Sequence, residues 1–160
     1  EDILIGKRRK QSERASRVMN ITETLYFNLK DMDLKNDVHR VDDEILALLK
    51  KYQPETLYIP SLIDKHPDHQ AVTSKILELT QKKQIKILGY DVWGGDDKRY
   101  PRIYVNITPY FRQKLRLMKL FTDTEWFSIY LQYLPVIFRA LKNGAKIHCR
   151  YAERFYVLRW

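Results

Sequence analysis

The sequence predicts an α/β fold, a Rossmann-like and mainly parallel sheet with flanking helices, incomplete at its N-terminus. Three observations lead there. Segments with helical apolar spacing alternate with short β-branched runs, in the order helix, strand, helix, strand, helix, strand. At 160 residues and 44% hydrophobic, the chain has the length of one domain and enough apolar side chains for a core. The chain opens on a charged helix, where a doubly wound sheet usually opens on a buried strand whose loop carries ligand-binding residues. "DILI", residues 2–5, is too short to supply both that strand and the helix after it.

Residues 7–19 are mostly polar and helical. "TLYFNL", 24–29, is β-branched and aromatic, which predicts a strand, and "KDMDLKND" after it is a polar loop. Val38, Val41, Ile45, Leu48 and Leu49 recur at helical spacing and predict a helix over 38–52, stopped by Gln53-Pro54. "ETLYIP", 55–60, is a short buried strand, followed by a loop and a helix to about Lys82. "IKILGYDVW", 85–93, and "RIYVNI", 102–107, are strands on either side of a loop at 94–101. Residues 109–121 are helical, with Phe111, Leu115 and Met118 on one face. The tail from 126 is aromatic and ends in a strand, "ERFYVLRW".

The net charge is +9. Such a balance suits nucleic acid, an anionic membrane or anionic substrates. The basic residues are spread along the chain without a zinc-finger spacing, an aromatic RNA-binding pattern or a GXXG loop, so a solvated basic surface is expected and no nucleic-acid partner. No run of about 18 apolar residues predicts a membrane-spanning helix. One cysteine, Cys149, excludes an internal disulfide. With no secretory signal at the start, a reducing, cytoplasmic location is expected.

Two of the chain's four histidines stand together in His66-Pro67-Asp68-His69. The motif follows the strand at 55–60, and open α/β sheets bind ligands at the carboxyl ends of their strands. Pro67 suits the first turn of the next helix, where no N–H is needed, and Asp68 is favoured there by the helix dipole. A neutral imidazole is a good zinc ligand, and a catalytic zinc takes three protein ligands and an open position. One helix start supplies one or two of these.

"DKHPDHQAV", 64–72, resembles the second signature of the zinc-dependent deacetylases of the LmbE and PIG-L type. "RRKQSERASRVMNI", "YFNLKDMDL", "QPETLYIPS", "VNITPYFRQKLRLMKLF" and "YAERF" resemble further family segments in the same order, over most of the chain. The resemblance implies a zinc cofactor and removal of N-acetyl groups from an N-acetylglucosaminyl substrate, an amino-sugar conjugate. It implies that His69 binds zinc, that His66 faces the substrate carbonyl as electrophile or acid, and that Asp68 orients or tunes His66. It implies substrate-binding roles for Arg8 and Asp31. Gln11 stands where the family has a glutamate, and Asp123-Thr124 where it has Ser-Gln. The family's first signature, HPDDE, is absent, so the chain is expected to be a deacetylase domain over 1–160 that lacks its first strand-helix-strand unit.

"HRVDDE", 39–44, looks like a substitute, but acids at a helix start are ordinary dipole chemistry. His148 and Cys149 are read as packing. The alternative to an enzyme is a truncated or inactive deacetylase-fold binding module without turnover. For 126–146 a core helix pair kinked at Pro135 is expected, with a weak membrane-surface contact as the other reading.

Overall fold

The computed structural model describes residues 2–92 and 98–160. Trp93 and the first half of the expected loop at 94–101 lie outside the described residues. Two compact units emerge, one from Glu1–Tyr26 and Tyr104–Glu153, the other from Phe27–Ile103 and Arg154–Trp160.

The second unit contains α2 (Leu34–Asp37), a 3-10 turn (Val38–Val41), α3 (Asp42–Tyr52), β1 (Thr56–Pro60), α4 (Pro67–Leu79) and β2 (Lys86–Tyr90). The single helix expected over 38–52 is therefore split. Val41, at φ −112°, ψ 15°, departs from helical geometry just before Asp42. Its C-terminus is where Gln53-Pro54 predicts, with Gln53 in the left-handed conformation. β1 and β2 pair in parallel, Thr56 opposite Lys86 through Pro60 opposite Tyr90. Leu49, Ile59, Ile85 and Ile87 form the buried core, with Ile45, Leu57, Ile76, Leu77 and Leu158 packed against it. Alternation places Leu57 and Ile59 on that core and turns Tyr58 the other way, edge-on to Phe155 at 5.3 Å. Thr73 Oγ1 donates to the Pro60 carbonyl (2.8 Å), fastening α4 to the end of β1. Arg159 closes the other end of α4, donating to the Leu77 carbonyl (3.1 Å) and to Thr80 Oγ1 (3.0 Å), a cation at the negative pole of the helix.

The remaining strands are β3 (Arg102–Asn106) and β4 (Ala152–Arg159), and the sheet order is β1-β2-β4-β3. β4 runs antiparallel to β2, with a bulge at Leu158 between the pairs Ile87–Arg159 and Leu88–Val157. The sheet is thus mixed, not mainly parallel as expected. Parallel pairing needs a crossover between the two strands. α4 supplies one from β1 to β2, whereas β4 reaches β2 after the chain has passed through β3 and two further helices.

The strand expected at 24–29 does not form. Asn28 sits at φ 54°, outside extended geometry, and Leu25, Tyr26 and Phe27 are exposed. β-propensity needs a neighbouring strand to act on, and this segment has none among the described residues.

The first unit contains α1 (Asp2–Val18), α5 (Phe111–Lys119) and α6 (Thr122–Ala145). α1 begins earlier than the polar pattern at 7–19 predicts. Phe111 is buried and stacks on Tyr151 at 3.8 Å. The helix pair expected over 126–146 is one helix. Pro135 lies inside it, and the break falls at Glu125 (φ −131°, ψ 31°). The carbonyl that Pro135 leaves without its helical partner is that of Leu131, on an exposed stretch where water can reach it. Gly144 permits the turn from α6 toward β4. A Cβ there would lie 2.7 Å from the Arg150 carbonyl oxygen. Cys149 Sγ donates to the Tyr151 carbonyl (3.3 Å) in this turn, a packing role. Among the described residues no helix is long and apolar enough to cross a membrane.

Candidate active site

β1 continues past Pro60 by one bond, Ser61 N–H to the Tyr90 carbonyl (2.9 Å), and then turns into 61–66. Gly89 allows this close approach, since a Cβ would stand 3.0 Å from Ser61 Cα. Asp64 N–H donates to the Ser61 carbonyl (3.1 Å), which folds Asp64 inward until it is 5% exposed. Its carboxylate then organises the histidines. Oδ1 accepts the His66 N–H (3.0 Å), and Oδ2 lies 2.9 Å from His69 Nδ1. Oδ2 and His69 Nδ1 are both sealed from solvent, and the contact is not aligned as a hydrogen bond. Gln70 Nε2 donates to the Asp64 carbonyl (2.9 Å), completing the turn.

His66 is the N-cap of α4, extended at φ −70°, ψ 125°, with Pro67 in the first turn. Its Nδ1 accepts the Asp68 N–H (3.2 Å), the bond that serine or aspartate usually takes at this position. An Nδ1 that accepts carries no proton, so the neutral ring holds its proton on Nε2. The His66 and His69 rings stand 4.6 Å apart, tilted by 30°.

Asp68 is 6% exposed. Its Oδ2 accepts the Met32 N–H (2.7 Å) and its Oδ1 the Leu34 N–H (3.2 Å). The carboxylate thus holds the turn that carries Asp31, while its main chain steadies His66. Met32 has φ 63°, which costs a non-glycine residue about 1 kcal/mol, and the bond to Asp68 offsets this. Asp31 itself is exposed at the head of that turn.

The structure brings His66, Asp68 and His69 together at one helix start, with Asp31 on a turn pinned to it. Arg8 belongs to the other unit, on α1, where its guanidinium pairs with Glu125. Nearby in that unit, Thr124 Oγ1 donates to Gln11 Oε1 (2.7 Å).

Asp64 is the organising residue to which residue-type reasoning assigned no role. The available signal was its place two residues before His66, the Asx-turn position from which a carboxylate caps a following N–H. Tyr90, at the end of β2, has its phenol raised above the ordinary value, first by partial burial and second by the charge of Asp64. Ser61 Oγ donates to Asp91 Oδ1 (3.2 Å), and Arg154 pairs with the other oxygen of Asp91. The "HRVDDE" segment behaves differently. His39 is exposed, and Asp42 pairs with Lys75 of α4 at 3.1 Å.

The residues test as a partial fit to zinc. With Asp64 against Nδ1, His69 retains Nε2 for a metal, an arrangement common among metal-bound histidines. Among the described residues, however, no three His, Cys, Asp or Glu side chains are placed to hold an ion.

A family model described as PIG-L, GlcNAc-PI de-N-acetylase, matches residues 2–80. Among solved structures, the chain is similar to the N,N'-diacetylchitobiose deacetylase of Pyrococcus horikoshii, with TM-score 0.77 and 21% identity over 97% of this chain and 64% of that one. The conserved protein TT1542 of Thermus thermophilus gives TM-score 0.77 at 17% identity, over 96% of this chain and 74% of that one. A deacetylase triple mutant from the teicoplanin biosynthetic pathway gives 0.70 at 20%, over 94% and 69%. At these identities the likeness carries the fold. The chain spans 64% of the length of the Pyrococcus enzyme. No curated protein matches it. The family match runs through the helix of Arg8, the turn of Asp31 and the cluster from Asp64 to His69, and over residues 2–80 the chain matches the PIG-L/LmbE deacetylase family.

Proposed function

We propose that this chain serves a zinc-dependent amide hydrolase that removes the N-acetyl group of an N-acetylglucosaminyl-type substrate. The observation that carries the reading is the pair of histidines ordered by one buried carboxylate, Asp64, within a deacetylase-family chain. Hydrolysis adds water across the amide C–N bond and releases acetate and a free amine. Negative charge develops on the carbonyl oxygen, and His66, its Nδ1 already occupied, can donate Nε2–H to that oxygen. Asp68 keeps His66 in this tautomer through its main-chain N–H, and its carboxylate fixes the turn from which Asp31 meets the sugar. For Arg8, on the first unit, a substrate-binding role is proposed from the family resemblance alone. His69 is the zinc ligand this chain supplies, with Asp64 setting its ring. Zinc, when bound, polarises the amide oxygen and lowers the pKa of water. A working centre needs further ligands and a general base beyond those the described residues bring together.

That shortfall also favours the second reading, a deacetylase-fold module that binds its ligand without turnover. Amine release from an N-acetylglucosaminyl conjugate by zinc-loaded protein from its source separates the two. We expect equimolar acetate and amine, a loss of about 10²–10³ in kcat for His66→Ala with zinc content unchanged, and loss of zinc for His69→Ala. Stoichiometric zinc with no amine released would overturn the enzymatic reading in favour of binding alone.

A further inference from the structure

We propose that α6, together with the basic face of α5, lays the first unit on an anionic membrane surface. The exposed side chains of α6 include Trp126, Phe127, Tyr130, Leu131, Leu134 and Phe138, with Trp126 63% and Phe138 68% exposed. At 3.6 residues per turn they fall within an arc of about 140°, a single apolar face roughly 20 Å long. Lone exposed apolar residues are ordinary on a protein surface, whereas a continuous aromatic stripe signals an interaction site.

Charge identifies the occupant. Residues 107–152 contain eight Lys or Arg against two acids, Asp123 and Glu125, and Glu125 is already paired with Arg8. On α5, Arg112, Arg116 and Lys119 are exposed at helical spacing, and no carboxylate pairs with any of them among the described residues. Lys119 instead sits over the Tyr133 ring of α6 at 5.6 Å, which ties the basic face to the aromatic helix. A cavity of about 480 Å³ lies within the same unit, walled by Arg112, Leu115, Ile137 and Arg150 with the stacked Phe111 and Tyr151. An apolar aromatic face and cations free of carboxylates are the two features of an interfacial helix on anionic lipid. A second copy of the chain fits less well, because each copy carries +9 and would bring a like-charged rim against this one. The helix lies on the surface and does not cross it.

The purified chain is sedimented with phosphatidylcholine vesicles and with vesicles containing about a third phosphatidylserine. We expect binding to the anionic vesicles at low salt, at least tenfold weaker at 0.5 M salt. Phe127→Ser with Phe138→Ser should weaken it tenfold or more at unchanged circular dichroism, since both rings are solvent-exposed in the free chain. Arg116→Glu with Lys119→Glu provides an independent loss through charge alone. Trp126 emission should shift to the blue on the anionic vesicles, and the shift should vanish in Trp126→Phe. Failure to bind anionic vesicles overturns the proposal. So does binding that both double variants retain, and so does concentration-dependent dimerisation that buries Trp126 without lipid.

Discussion

At the start of α4, His66 Nδ1 takes the Asp68 N–H, Asp68 takes two main-chain N–H groups from another turn, and Asp64 reaches both histidines. At the start of α3 the same residue types stand in nearly the same order, His39, Asp42, Asp43, Glu44, and no side chain caps the helix. His39 is exposed there, and Asp42 meets Lys75 in a partly exposed ion pair. In one case polar atoms fix the His66 imidazole against the main chain and set a buried carboxylate beside that of His69. In the other they serve the helix dipole and a surface cation. Composition does not separate the two starts; the acceptors of each N–H do.

Removing the two carboxylates tests this contrast directly. Asp68→Ala leaves the Met32 and Leu34 N–H groups without a charged acceptor and should lower stability by about 2 kcal/mol. Asp42→Ala loses a single ion pair and should cost less than about 1 kcal/mol. Urea denaturation of both variants measures the difference, and equal losses would mean that the starts of α3 and α4 are built alike.

A smaller effect should come from the strand beneath the α4 cluster. Gly89→Ala places a methyl 3.0 Å from Ser61 Cα, so the 61–66 turn must give way by a few tenths of an ångström. We expect a loss of about 1–2 kcal/mol, comparable to mild overpacking. An unchanged urea midpoint would show that the turn is not held by this contact.

Much of this was legible in the sequence. β1, β2 and α4 declare themselves through alternation, Pro67 and the helical spacing after it, and the family signature marks His66 and His69. The direction of β4 was not legible, because "ERFYVLRW" carries the same apolar residues whichever way it runs beside β2. "TLYFNL" has the propensity of a strand but no partner strand among the described residues, and propensity alone does not form one. Asp64 went without a role because a carboxylate on a loop looks solvated until the turn from Ser61 buries it. The exposed face of α6 was masked by its composition, since an aromatic helix suggests a core until its surroundings are known.

The smallest effect lies in the pH dependence of stability, and it tests the charge of Asp64 from the side of the sheet. The Tyr90 phenol is raised in the folded chain, first by partial burial and second by Asp64. Below about pH 10 the phenol is neutral in folded and unfolded chains alike and adds no pH dependence. Above that the unfolded chain gives up its proton while the folded chain keeps it, so stability falls as pH rises toward the folded pKa. Tyr90→Phe removes this slope and leaves that of the other tyrosines and lysines. Between about pH 8 and pH 10.5 the melting temperature should therefore fall further for the natural chain than for Tyr90→Phe. Adding Asp64→Asn should shrink the gap only partly, because burial is the larger cause. If the two curves stay parallel, Tyr90 ionises as it would in water, and its hydroxyl neither is shielded from solvent nor feels the carboxylate that orders the histidines.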